Sequence, residues 1–285
     1  MYTKQTEKTD EDAMSDSTTE PNATTRSGTP IVGQRRLFYF NDNGQPAYQS
    51  YELTGDDYMD PRVDDEFFHG EVHDRAVRIL ASMLQHHYRY SPTVSVHIKP
   101  KMIWTDASLA QPMPDLVLVN HLSEPQRHRP ILDLNTERAA EEAMAQDAGQ
   151  VSIRAIFEVT SPLLATYDLE TKHSLYARAG VPEYWIIDTG LRPDQEQLNY
   201  TILGFQLQDG RYTPISAQSN GRWESPSCRL WLTVSPDGQS FQLGDMRTGK
   251  PFPIPADDDD PSIAAQAEAA RRAQSIADQL KISPE

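Results

Sequence analysis

Cysteine is almost missing from this chain. Cys228 stands alone among 285 residues, which excludes an internal disulfide and a thiolate metal cage. No apolar run approaches the roughly 18 residues of a membrane span, and no basic-then-apolar pattern opens the sequence. These absences predict a soluble, cytoplasmic protein with no membrane partner. Basic residues are scarce, 26 Lys and Arg against 42 Asp and Glu, for a net charge of −16. A broad basic face for nucleic acid is therefore excluded, and any DNA-binding surface must be local. There is no Gly-rich phosphate loop, Walker pattern or Gly-x-Ser-x-Gly elbow. The histidines offer no pair at metal-ligand spacing: His86 and His87 face two ways, and His73, His97 and His173 stand apart.

The ends differ from the middle. Residues 1–33 carry six acids and three bases with almost no large apolar side chain, which predicts a disordered tail. Residues 251–285 carry seven acids and three bases, as an acidic linker and an Ala-rich helix over Ser262–Leu280. Between them, residues 34–250 have the composition of one folded domain. Arg36–Phe40 reads as a first strand, turned at Asn41–Gly44. Apolar positions three and four apart predict an amphipathic helix from Asp65 to Tyr88. Thr93–Ile98, Lys101–Trp104, Asp115–Val119 and Val151–Val159 read as strands, the third covered on both faces. Residues 121–150 read as a lid-like excursion with a helical patch at Thr136–Gln146. A helix over Thr166–Ala179 is expected to start at Thr166 or Asp168 as N-cap and stop at Gly180. Glu183–Asp188 is another buried strand, and the segments to Leu243 read as antiparallel hairpins. The pattern predicts a mixed sheet with helices packed on it.

Asp115 opens one apolar strand and Glu158 closes another. On adjacent strands, two such carboxylates supply hard oxygens to one divalent ion, and the Val159 or Thr160 carbonyl could add a third. The alternative is that each caps a turn or pairs with an arginine. Lys172 follows on the next helix, with Asp168 and Tyr176 four residues to either side. A lysine there suits developing phosphate charge or an oriented water; the simpler alternative is a solvated pair with Asp168. Tyr184 and Trp185 read as core.

Taken together, Pro114-Asp115, Glu158-Val159-Thr160-Ser161-Pro162, Asp168 with Lys172 and Tyr176, and Ala179-Gly180-Val181-Pro182-Glu183-Tyr184-Trp185-Ile186-Ile187-Asp188 resemble the Uma-type restriction endonuclease family of the PD-(D/E)XK nuclease superfamily. The resemblance spans about residues 60–245. It implies an α/β (α+β) restriction-endonuclease-like core of order αβββαβ, with an antiparallel, hairpin-rich C-terminal part. It implies Mg²⁺- or Mn²⁺-dependent cleavage of DNA, with Asp115 and Glu158 as metal ligands. The superfamily lysine stands two residues after the glutamate, where this chain has Thr160; the resemblance implies that Lys172 replaces it. Glu66 and Glu71 are candidates for an assisting acid on the first helix. A homodimer is the analogy for a nuclease that cuts both strands. A nuclease fold kept as a binding or assembly module without turnover is the alternative, favoured by the net charge and by Thr160.

Overall fold

The computed structural model describes residues 29–122, 129–144, 150–195 and 197–254. Residues 1–28 of the acidic N-terminal segment and the Ala-rich stretch 262–280 lie outside the described residues. The described part opens on a hairpin of β1 (Gly33–Phe40) and β2 (Pro46–Leu53). At its turn, Asn41 Oδ1 accepts from the amides of Asn43 and Gln45. A five-residue helix, α1 (Gly55–Met59), and a two-residue strand, β3 (Glu66–Phe67), follow. The helix expected from Asp65 begins later, as α2 (Glu71–Tyr88). Glu66 and Phe67 are committed to pairing with Gln34 and Gly33, and Gly70 sits at φ 85°, outside helical space. Of the positions expected to form its apolar stripe, Ala76, Leu80, Met83 and Leu84 are buried, while Ile79 and His87 are half-buried.

Next come β4 (Val94–Ile98), β5 (Lys101–Ile103), β6 (Leu116–Asn120), β7 (Ile131–Asp133) and α3 (Leu134–Met144). β7 pairs parallel with β5 outside the main sheet, and Leu132 and Leu134 are buried, so β7 and the start of α3 are packed down. β8 (Ser152–Val159) leads into a π-helical segment, Tyr167–Lys172, which continues as α4 (His173–Arg178). Gly180, at φ 77°, stops it as expected. Thr166 stands at the N-cap position of the π-helical segment but makes no side-chain capping bond, and Asp168 is not the cap. The turn is already under way at Ser161, whose carbonyl accepts the Ala165 amide, and Asp168 lies buried inside the π-helical segment. β9 (Glu183–Asp188), β10 (Thr201–Gln208), β11 (Arg211–Ile215), β12 (Trp223–Ser225), β13 (Leu230–Val234) and β14 (Phe241–Asp245) complete the order.

The main sheet has the order β11-β10-β9-β8-β6-β4. Its β8–β9 pair is parallel and the rest are antiparallel, so α2, β4, β6, β8, the π/α4 crossover and β9 form the expected αβββαβ core. Alternation along the central strands divides two apolar layers. Ala155, Phe157, Val159, Trp185 and Ile187 face α2 and the β12–β14 sheet. Ile156, Tyr184, Ile186, Val117 and Val119 face the opposite layer with Trp104, Leu132, Leu175 and Tyr176. A side chain at the end of β8 on this second face is placed directly beneath the crossover helix.

Candidate active site

Glu158 is that side chain. The antiparallel register pairs Leu116 with Phe157, so one step further Asp115 stands across from Glu158. Each carboxylate accepts the other strand's backbone: the Asp115 amide donates to Glu158 Oε2 at 3.1 Å, and the Val159 amide donates to Asp115 Oδ2 at 2.9 Å. Both are buried. Two like charges opposite one another on a sheet repel, so this placement holds only because cations meet it.

The first cation is Lys172, fully buried beneath the crossover. Its three N–H donors find three acceptors: Glu158 Oε1 at 3.0 Å, Asp168 Oδ1 at 3.0 Å and the Tyr58 hydroxyl at 2.6 Å. The pair with Asp168 is therefore made, but in a dry interior and not as the solvated surface pair. Tyr58 donates its own proton to Asp168 Oδ1 at 2.9 Å, and Tyr176 donates to Glu158 Oε1 at 2.7 Å. The π-helical turn is itself braced, since the Tyr184 hydroxyl donates to the Asp168 carbonyl. Such wide turns occur preferentially at functional sites. Gly55 lets α1 approach it: a Cβ there would collide with the Tyr167 ring.

The second cation is His73, on the first turn of α2. Its Nε2 lies 3.1 Å from Asp115 Oδ2 and its Nδ1 3.1 Å from Asp74 Oδ1. Sequence reasoning passed over it for want of a spaced metal partner. The signal that could have found it is its place on the buried stripe, three residues before Ala76. Glu66 and Glu71, the acids proposed for this helix, are exposed, and Glu66 accepts from Gln34 instead. Tyr58, also missed, comes from a short segment with no periodicity to read. Thr160, in the place of the superfamily lysine, donates to Asp188 Oδ1 at 2.7 Å, and its carbonyl accepts from Thr189.

Burial shapes the protonation of these groups. It drives the Glu158 carboxyl up to about 8; Asp168 and Asp115 add to the rise, more than Lys172 and Tyr176 can offset. Asp168 is also raised, chiefly by burial. Burial opposes the charge on Lys172, but Asp168, Glu158 and Asp115 outweigh it and hold the ammonium protonated. Burial likewise opposes charge on His73, yet Asp115 and Asp74 lift it to about 9. Asp115 runs the other way: despite burial, the charge and hydrogen bond of His73 keep it well below the usual carboxylate range.

Among the described residues, no three His, Cys, Asp or Glu groups converge as a ready metal cluster. The unspent acceptors nonetheless suit a hard cation. Asp115 Oδ2 already takes two donors and Glu158 Oε1 takes two, whereas Glu158 Oε2 takes one and Asp115 Oδ1 none among the described bonds. Asp168 Oδ2 is buried with no partner. Mg²⁺ typically takes one or two carboxylate oxygens and keeps several waters, and Asp115 borders a cavity that can admit them.

A known family matches this arrangement over residues 45–235, well over half of the chain: Uma2, described as Putative restriction endonuclease. The chain belongs to the Uma2 family. That family is part of the PD-(D/E)XK nuclease superfamily, and the mixed sheet here is consistent with its restriction-endonuclease-like fold. No curated protein matches the chain.

Proposed function

We propose that this Uma2 protein is a cytoplasmic, divalent-metal-dependent endonuclease that hydrolyses DNA phosphodiester bonds, with residues 34–250 as the working domain. One observation carries the reading. Lys172 Nζ, on the crossover, sits 3.0 Å from Glu158, where it would serve for the lysine missing from the strand after Glu158.

Asp115 and Glu158 would hold Mg²⁺ or Mn²⁺. The ion would supply an activated water and offset charge on the phosphoryl oxygens. The protein's own groups do the rest. Lys172 and Tyr176 fix the Glu158 carboxylate by hydrogen bonds, and Lys172 favours its ionised form. His73 and the Val159 amide fix Asp115. A preorganised ammonium in a dry site is worth far more against developing negative charge than one in water. In the reaction, a water oxygen bonds to phosphorus and the opposite P–O bond breaks. The water's proton passes to solvent and the leaving oxygen is protonated in turn.

The second reading, a catalytically silent binding module, is favoured by the net charge of −16 and by the several donors that already occupy Glu158. The test is cleavage of plasmid and single-stranded DNA at low salt with Mg²⁺ or Mn²⁺, comparing wild type with Asp115→Asn. Metal-dependent cleavage lost in the variant supports the enzyme. An inactive wild type on every substrate favours the module.

A further inference from the structure

A cavity of about 230 Å³ lies beside Asp115, walled by Tyr58, Phe67, His69, Lys99 and Met113. Three acids at its rim are already engaged. Asp65 takes Arg35 at 2.7 Å, Glu66 takes Gln34 at 3.0 Å, and Asp74 takes His73 at 3.1 Å. What remains unspent is specific. The Lys99 ammonium only loosely meets Asp74, at 3.7 Å, and its side chain is 38% exposed. Lys99 is nonetheless fixed in place, because its amide donates to the Asp115 carbonyl at 3.0 Å from a turn at φ 47°. The imidazole of His69 stacks on His73, with centroids 4.0 Å apart, and its buried Nδ1 has no hydrogen-bond partner.

A ligand that answers this must bring a flat, largely apolar group and an anion. A simple phosphate would leave the aromatic wall unmet. An apolar molecule would leave Lys99 unmet. A nucleotide meets both. The volume falls below the roughly 300 Å³ at which drug-sized pockets begin, which suits one heterocycle and excludes a base pair. A second feature points to unpaired bases. β1 pairs at its start with Phe67 in the cavity wall, and on its opposite face, about 17 Å further along at five residues of strand rise, it carries exposed aromatics. Phe38, Phe40 and Tyr48 cluster on one face of the hairpin, 53%, 65% and 70% exposed, with Arg36 in the same row. Such side chains form platforms on which unpaired bases stack.

We infer that the cavity is a subsite for one unpaired nucleotide of a single-stranded or frayed nucleic acid, its phosphate at Lys99 and its base against His69 and Phe67. The inference rests on the nuclease reading above and narrows its substrate. The test is calorimetric titration of the full chain, with Ca²⁺ present, by deoxynucleoside monophosphates, deoxynucleosides and inorganic phosphate. A monophosphate should bind at least about tenfold more tightly than inorganic phosphate, and Lys99→Met should remove about tenfold of that affinity, the worth of one charge-assisted hydrogen bond. Nucleoside binding should be unchanged in Lys99→Met and weakened in His69→Ala, which removes the ring from the wall. Inorganic phosphate binding as tightly as the nucleotide, or no nucleotide binding at all, overturns the subsite. The two readings fail separately. A wild type that cleaves closed duplex DNA but binds no mononucleotide keeps the nuclease and loses the subsite. One that binds mononucleotides through Lys99 and His69 but never cleaves keeps the subsite and loses the nuclease.

Discussion

Two buried glutamates on neighbouring strands of one sheet have opposite surroundings. Glu183 opens β9 on the face toward β12–β14, and neutral donors surround it: Trp185 Nε1 at 2.9 Å, the Ser227 amide at 2.7 Å and the Ser225 hydroxyl. It ties the small C-terminal sheet to the core. Glu158 closes β8 on the other face, among Asp115, Asp168 and Lys172, with as many donors as Glu183 but beside a carboxylate oxygen of Asp168 left without a partner. Burial is the same for both, 0% exposed. The difference is that one carboxylate is held by dipoles, while the other sits in a cluster of charges. A buried acid held by dipoles builds structure. A cluster of buried charges, which costs several kcal/mol to desolvate, is retained where something binds it.

Breaking the charged side should give the largest effect. Lys172→Met leaves Asp168 and Glu158 buried without their cation, and should lower the stability of the folded state by about 3–5 kcal/mol. It should also reduce turnover by roughly 10²-fold or more at unchanged DNA affinity. The double change Lys172→Met with Asp168→Asn should recover much of the stability and none of the turnover, as read by urea denaturation and a cleavage assay. Full turnover in the double variant would remove Lys172 from the mechanism. Breaking the neutral side should do the reverse. Glu183→Leu strands buried donors at Trp185, Ser225 and Ser227, and should cost about 3 kcal/mol or more. The folded fraction should then cleave at the wild-type rate. A loss of turnover beyond the loss of folded protein would mean the two regions are not separate.

The two sides were not equally legible in the sequence. Asp115 and Glu158 each bound an apolar run, so strand pairing alone brings them together, and the spacing of Lys172 to Asp168 places it on the crossover. Glu183 is equally visible as a strand start, but nothing in the sequence says that Ser225 and Ser227, over 40 residues later, will supply its donors. Tyr58 and His73 were hidden for different reasons. Tyr58 arrives by way of β2, which is exposed along most of its length and so carries no burial pattern. His73 follows a segment misread as helix, because Phe68 and Val72 mimic a helical step that Gly70 interrupts. The π-helical turn was not foreseeable, since side-chain spacing reports a face and not the size of the hydrogen-bonded ring.

The smallest predicted effect is the one that distinguishes the two glutamates most directly, the dependence of stability on pH without metal. Glu158 is raised from 4.5 to about 8 in the folded protein, and His73 from 6.5 to about 9. Between those limits these two groups bind more protons in the folded state than in the unfolded chain, so their contribution falls as pH rises; Asp168, also raised, adds to the fall, and His69, lowered chiefly by burial, opposes it below 6.5. The Glu158 contribution is whole below about pH 4.5 and lost by about pH 8; that of His73 is whole below about 6.5 and lost through about 9. Asp115 acts in the opposite sense, but its share is lost only as pH falls below 3.8, outside this window. The slope should not exceed about 1.4 kcal/mol per pH unit for each group. Glu158→Gln, isosteric with the neutral acid, should reduce the decline between pH 5 and pH 8 and leave the His73 decline from about 6.5 to about 9. Added Mn²⁺ should reverse the trend in wild type, because the ion binds the ionised carboxylates and its stabilising effect grows as pH approaches 8. Urea midpoints at pH 5 to 9, with and without Mn²⁺, read these curves. If Glu158→Gln keeps the wild-type slope, then Glu158 is not a proton-holding acid in the folded state, and the contrast with Glu183 collapses.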